Sequence, residues 1–137
     1  MRILEVRSNV LSVPQGYTLV GAFSADLNCN VGIQKAFDQV FDIMKRYRMN
    51  NVTVGNVYRI DNLYMLIVKD SSYDNPNIDM LDNSLRILAN VVNTYGIKKL
   101  AMPKICTGKN GIAWTKVREL IEKHFNEIDG DILVCSM

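Results

Sequence analysis

Hydrophobic and polar positions alternate along this chain in blocks that predict strands and helices in turn. Met1 to Arg7, with Ile3, Leu4 and Val6, reads as a short strand. Thr18 to Ser24 is nearly all apolar, as expected of a strand buried on both faces. From Gly32 to Arg48 the apolar residues Ile33, Ala36, Phe37, Val40, Phe41 and Met44 follow the spacing of an amphipathic helix. Asn56 to Ile60, a turn at Asp61-Asn62, and Leu63 to Lys69 predict a β-hairpin. A polar loop from Asp70 to Asn77 comes next. Ile78, Leu81, Leu85, Leu88 and Val92 then share one face of a helix predicted to end at Tyr95, with Gly96 as its C-terminal cap. Lys99 to Met102 is the next strand. Trp114, Val117, Ile121 and Phe125 line a further helix to about Asn126, and Asp129-Gly130 turns the chain into a last strand, Ile132 to Cys135. About six strands and three helices in this order predict an α/β fold, a mixed central sheet with helices packed on its faces.

Composition narrows the class without changing that picture. The chain has 137 residues, 48% of them apolar and 22% charged, values that fit one globular domain over residues 1–137. A net charge of +2 speaks against a broad nucleic-acid-binding face. Cys29, Cys106 and Cys135 show no paired spacing, and the chain has one histidine, His124, so neither a structural metal nor a disulfide framework is expected. No signal peptide and no apolar run of membrane-spanning length appear, which predicts a cytoplasmic protein with no membrane partner.

The chemistry concentrates in loops. In open α/β sheets ligands sit outside the carboxyl ends of the strands. Three polar segments come directly after such ends: Ala25 to Val31, Lys69 to Pro76, and Lys104 to Ile112. The last is the most informative. The apolar run Leu100 to Met102 stops at Pro103, a loop with Gly108 and Gly111 succeeds it, and a helix begins at Trp114. A strand, a Gly-bearing turn and a helix start present backbone N–H groups to an anion, most often a phosphate.

These residues resemble the macrodomain family, the ADP-ribose-binding module, and within it the terminal ADP-ribose protein glycohydrolase subgroup. The resemblance is carried by Val6-Arg7-Ser8-Asn9-Val10-Leu11 with Pro14, by Phe23-Ser24-Ala25-Asp26 with Gly32-Ile33 and Phe37, by Leu66-Ile67-Val68-Lys69 with Pro76 and Leu81, and by Met102-Pro103-Lys104-Ile105 with Gly108, Trp114 and Val117. It implies a macrodomain-like three-layer fold and a monomer that binds ADP-ribose or ADP-ribosylated protein, with no cofactor and no metal. Asn9, with Val10 beside it, stands where the family has an aspartate that accepts from the adenine amino group. The segment from Asn28 through Asn30, Val31 and Gly32 to Ile33 stands at the first Gly-rich loop, with Gly32 alone left of the usual glycine pair. The segment Cys106, Thr107, Gly108, Lys109, Asn110, Gly111 and Ile112 matches the loop that cradles the diphosphate.

The same resemblance makes Lys69 the candidate nucleophile for removing ADP-ribose from acidic side chains. It puts Asn110 at the acid/base position, where the glycohydrolase branch has an aspartate. An amide cannot take and deliver protons, and losing a general acid/base costs a factor on the order of 10²–10⁴. Asp26 is the candidate substitute, ahead of Asp70, because adjacent strand residues point to opposite faces. Three functional readings result: a glycohydrolase using Lys69, a non-catalytic binder that sequesters ADP-ribose or a related nucleotide signal, and a partner-binding domain with a degenerate pocket. Cys106 is either a loop thiol activated by the helix approach or an inert one. Tyr73 is either a cover for the crevice or an exposed loop residue. His124, Trp114, Phe37 and Phe41 read as structural.

Overall fold

A computed structural model describes residues 1–48 and 50–137. Six strands form one sheet: β1 (Arg2–Arg7), β2 (Thr18–Ser24), β3 (Val57–Ile60), β4 (Leu63–Lys69), β5 (Lys99–Pro103) and β6 (Asp131–Ser136). Their order is β1-β6-β5-β2-β4-β3. All neighbours run parallel except the β3–β4 hairpin, so the sheet is mixed, as the alternation predicts.

Side-chain alternation along the central strands divides the core in two. Tyr64, Leu66 and Val68 of β4 face one cluster, where α3 (Ile78–Tyr95) and α4 (Trp114–Phe125) supply Leu81, Leu85, Leu88, Val117, Ile121 and Phe125. Leu63, Met65 and Ile67 face the other, where Phe37, Phe41 and Ile43 pack. A strand side-chain period of two does this directly, and it makes three layers, helix on sheet on helix. Each fully buried Leu, Ile or Phe contributes about 1.5–3 kcal/mol relative to exposure.

Helix α3 ends where its sequence signals place it. The Asn77 side chain accepts from the N–H groups of Asp79 and Met80 at 2.9 and 3.1 Å, and Gly96 closes the helix with φ +65°. Helices α3 and α4 are tied by Asp82, which pairs with His124 Nε2 at 2.7 Å and with Lys123 Nζ at 3.2 Å. The His124 hydrogen bond holds the Asp82 carboxyl below the usual range, in keeping with a structural histidine.

One helix departs from the expectation. The stripe from Gly32 to Arg48 is not continuous but splits into α1 (Gly32–Phe41) and a single turn, α2 (Ile43–Arg46). Asp42 between them adopts the left-handed conformation at φ +57°, a state that Asp tolerates better than most residues. Its N–H donates to the Asp38 carbonyl at 2.8 Å, and Asp38 Oδ1 accepts from Met44 N at 2.9 Å. The break rotates α2 relative to α1. Ile43 is fully buried, whereas Val40 is 61% exposed and Met44 lies at the surface. No described helix is long and apolar enough to cross a membrane.

Candidate functional site

A cavity of about 500 Å³ opens at the carboxyl ends of β2, β4 and β5. The N-terminus of α1 and the loops 69–76 and 103–111 wall it. Parallel strands bring their carboxyl ends to one edge, which is why three loops distant in sequence meet there.

The wall after β5 is built from its own backbone and one side-chain hydroxyl, that of Thr107. Cys106 and Asn110 take left-handed conformations at φ +62° and +59°. Ile112 N donates to the Cys106 carbonyl at 2.7 Å, Gly111 N donates to the Gly108 carbonyl at 2.8 Å, and Thr107 Oγ1 donates to the Lys104 carbonyl at 2.6 Å. A Cβ on Gly111 would sit 2.4 Å from the Cys106 carbonyl oxygen and 2.8 Å from that of Gly108, so the tight closure requires glycine there. A Cβ on Gly108 would meet open space. Burial pushes the Cys106 thiol up to about 12 against the opposing pull of the Lys69 charge, which disfavours the thiolate at neutral pH.

Helix α1 starts with Gly32 at φ +60° and has no side-chain cap. Its first-turn N–H groups have no acceptor within the helix, and Val31, Gly32, Ile33 and Gln34 all line the cavity. The helix end therefore offers donors and a partial positive charge to an anion. Gln34 Nε2 donates to the Ala22 carbonyl at 3.1 Å, which fixes the helix against β2.

The third wall carries Lys69. The pairing of β2 with β4 slips between Phe23 and Ser24, so Phe23 is opposite Ile67 and Ser24 opposite Lys69. Such irregularities re-aim side chains at strand ends, and here both Val68 and Lys69 line the cavity. Lys69 Nζ donates to the carbonyls of Ser72 and Asp74 at 3.2 and 3.0 Å. An ammonium has three donors, so one remains for a ligand. Lys69, Lys104 and Lys109 against a single carboxylate, Asp74, make the lining cationic. Lys104 Nζ lies 5.7 Å from the centre of the Trp114 ring and 3.8 Å from Glu5 Oε1, which also accepts from Trp114 Nε1 at 3.0 Å. Trp114 is thus half-buried with a polar anchor rather than wholly in the core.

Of the candidates, Val31, Gly32, Ile33, Lys69, Cys106, Thr107, Gly108, Lys109, Asn110 and Gly111 come together around the cavity. Five lie outside its lining. Val10 is buried in the core. Asn9 Oδ1 accepts from Leu11 N at 2.9 Å and caps a 3-10 turn over Val10–Ser12. Asn30 turns back on Asn28, and the Ile112 N–H closes the loop. Asp26 also lies outside. Its Oδ1 accepts from the Ser24 hydroxyl and from Asn28 N at 3.1 Å, and its Oδ2 accepts from Ser72 N at 3.0 Å. Burial works to raise its carboxyl, yet the hydrogen bonds from Ser24, Ser72 and Asn28 outweigh it and hold the group below the ordinary range. Asp70 is exposed and also off the lining. Sequence reasoning passed over Gln34, Ser72 and Asp74, whose polar side chains carry no motif. Tyr73 does line the mouth, at 91% exposure.

The arrangement of strands and helices matches solved structures closely. The macrodomain of Thermus aquaticus DarG superposes with a TM-score of 0.86 over 98% of both chains, at 18% identity. The fold is that of a macrodomain. Thermosipho africanus DarTG in complex with ADP-ribose matches with a TM-score of 0.77 at 17% identity, over 97% of this chain and 41% of the other. In sequence, this chain resembles bovine (Bos taurus) ADP-ribose glycohydrolase OARD1, at 26% identity over 99% of this chain and 92% of the relative. No protein-family model matches the chain.

Proposed function

We propose that this macrodomain binds ADP-ribose, free or attached to a protein. The observation that carries the reading is the cavity where the α1 N-terminus faces the self-closed loop 104–112, two anion-receptive backbone elements across one cationic space. The diphosphate would lie between them, with the distal ribose toward Lys69. The likeness to a glycohydrolase and to a fold solved with ADP-ribose supports the same ligand.

Turnover of an acidic-side-chain ester would run through Lys69. Its neutral amine would attack the anomeric carbon, forming a C–N bond as the C–O bond to the carboxylate breaks and the carboxylate leaves. Water would then release ADP-ribose and restore the amine. A second reading is a binder without turnover. It is favoured by the hold of two carbonyls on the Lys69 ammonium and by Asn110, an amide that cannot relay the proton.

Calorimetric titration with ADP-ribose, beside release from glutamate-linked ADP-ribosylated protein, tests both. Binding is expected for the wild type, and Lys69→Ala is expected to abolish any release. Binding with no release by the wild type leaves the binder; no binding at millimolar ligand overturns the function.

A further inference from the structure

Asp26 lies off the cavity lining, yet its carboxylate is spent on a specific partner. Asp26 Oδ2 accepts from the N–H of Ser72 at 3.0 Å, 46 residues away. The carbonyl of that same Ser72 accepts from Lys69 Nζ at 3.2 Å. Asn28 Nδ2 donates to Ser72 Oγ at 3.2 Å, and the N–H groups of Ala25 and Asp26 donate to the carbonyls of Lys69 and Asp70 at 2.8 and 3.1 Å. The loop after β2 thus seizes the loop after β4 at Ser72. On the far side of the turn, Asp74 Oδ2 accepts from Ser71 N at 3.0 Å and sets the second carbonyl that Lys69 uses.

We propose that Asp26 is a positioning residue for Lys69, acting through Ser72: it fixes the Ser72 backbone, whose carbonyl, with that of Asp74, fixes the direction in which the Lys69 amine meets a ligand. The inference deepens the proposed function, because it rests on Lys69 being the ligand-facing amine of that cavity. It gives Asp26 a part quite different from the acid/base substitute expected from its place in the sequence. With both oxygens already accepting hydrogen bonds, and neither lining the cavity, the carboxylate has no route to a reacting atom. A lysine side chain has four rotatable bonds. Two carbonyl acceptors reduce its freedom to a narrow cone, and the remaining N–H is aimed.

The test reads Lys69 itself. Reductive methylation with formaldehyde and a borane reagent modifies neutral, mobile amines, and mass spectrometry reports each lysine separately. In the ligand-free wild type, Lys69 is expected to react about fivefold more slowly than exposed Lys35. Asp26→Ala should raise the Lys69 rate about threefold or more and leave Lys35 unchanged. Asp26→Asn, whose amide oxygen still accepts one hydrogen bond, should fall between. Asp70→Asn removes a carboxylate next in sequence to Lys69 without touching the relay, and should leave the rate as in the wild type. A Lys69 rate unchanged in both folded Asp26 variants overturns the proposal. So does an equal rise in Asp70→Asn, which would reduce the effect to charge. Should Asp26→Ala fail to fold, Asp26→Asn decides on the same criterion. Titration of the same proteins with ADP-ribose should show Asp26→Ala binding about three- to tenfold more weakly. Absence of binding by the wild type would refute the ligand, while the methylation rates would still judge the relay.

Discussion

The two sides of the cavity are built on opposite plans. The loop 104–112 holds itself through backbone hydrogen bonds, two left-handed residues and one glycine that tolerates no side chain. The loops 25–31 and 69–76 hold each other, through two backbone hydrogen bonds and through the Asp26 and Asn28 side chains acting on Ser72. A backbone cradle is set once the chain folds and costs no reorganisation when an anion arrives. A wall held in part by side chains is more adjustable, because each side-chain contact can be lost singly while the rest persist. For the ADP-ribose proposed above, the difference would give the anion to the first wall and orientation at the other end of the ligand to the second.

The largest effect should come from Gly111. Gly111→Ala puts a methyl group within 2.4 Å of the Cys106 carbonyl oxygen, and the atoms in its way are backbone. Overpacking of this kind costs about 1–3 kcal/mol. Thermal unfolding should show a drop of several degrees, and calorimetry should show ADP-ribose affinity reduced about tenfold or more. Unchanged stability and unchanged affinity together would mean that the loop is as adjustable as its counterpart, and the contrast would fall.

Asn28 probes the other wall with a smaller change. Asn28→Ala removes the 3.2 Å contact to Ser72 Oγ between the loops and an exposed one from Asn30 Nδ2 within its own loop, and leaves the Asp26 contact to Ser72 N in place. A single such bond is worth about 0.5–1.5 kcal/mol. Denaturant titration should show a loss in that range with the loop 104–112 unaffected, read from amide hydrogen exchange at Gly111 and Ile112. A loss of protection at both walls would show that they form one unit.

The same contrast explains what was legible in the sequence. The strands, the helices and a mixed sheet with helices on its faces are legible, because burial on one or both faces dictates apolar runs and helical stripes; the strand order is not. The helix break at Asp42 was not legible. Met44 continues the stripe in sequence, but the left-handed Asp42, with the Asp38 carboxylate accepting from Met44 N, ends α1 and puts Ile43 rather than Met44 in the core. At the site, the loop 104–112 announced itself through glycines and a strand-to-helix change, which are local signals. The joint between loops did not, since Asp26 and Ser72 are 46 positions apart and neither belongs to a recognisable spacing. Asn9 shows the reverse case. Its position suggested a ligand contact, while locally an asparagine before a turn caps it.

Gly108 gives the smallest effect and the finest test. Together with Gly111 it marked this loop in the sequence, yet the two glycines do different work. A methyl group at Gly108 meets nothing within 4 Å, and its φ lies outside the left-handed region. Gly108→Ala should therefore shift stability by no more than about 0.5 kcal/mol, the ordinary range for a surface change without a named defect. Any loss of ADP-ribose affinity in this variant would then report contact between the ligand and the loop, because the loop itself is undisturbed. Measured beside Gly111→Ala, it separates a glycine needed for the loop to close from one needed for a ligand to approach. If Gly108→Ala instead destabilises as much as Gly111→Ala, the loop's shape depends on both positions, and its closure is not localised where the backbone contacts place it.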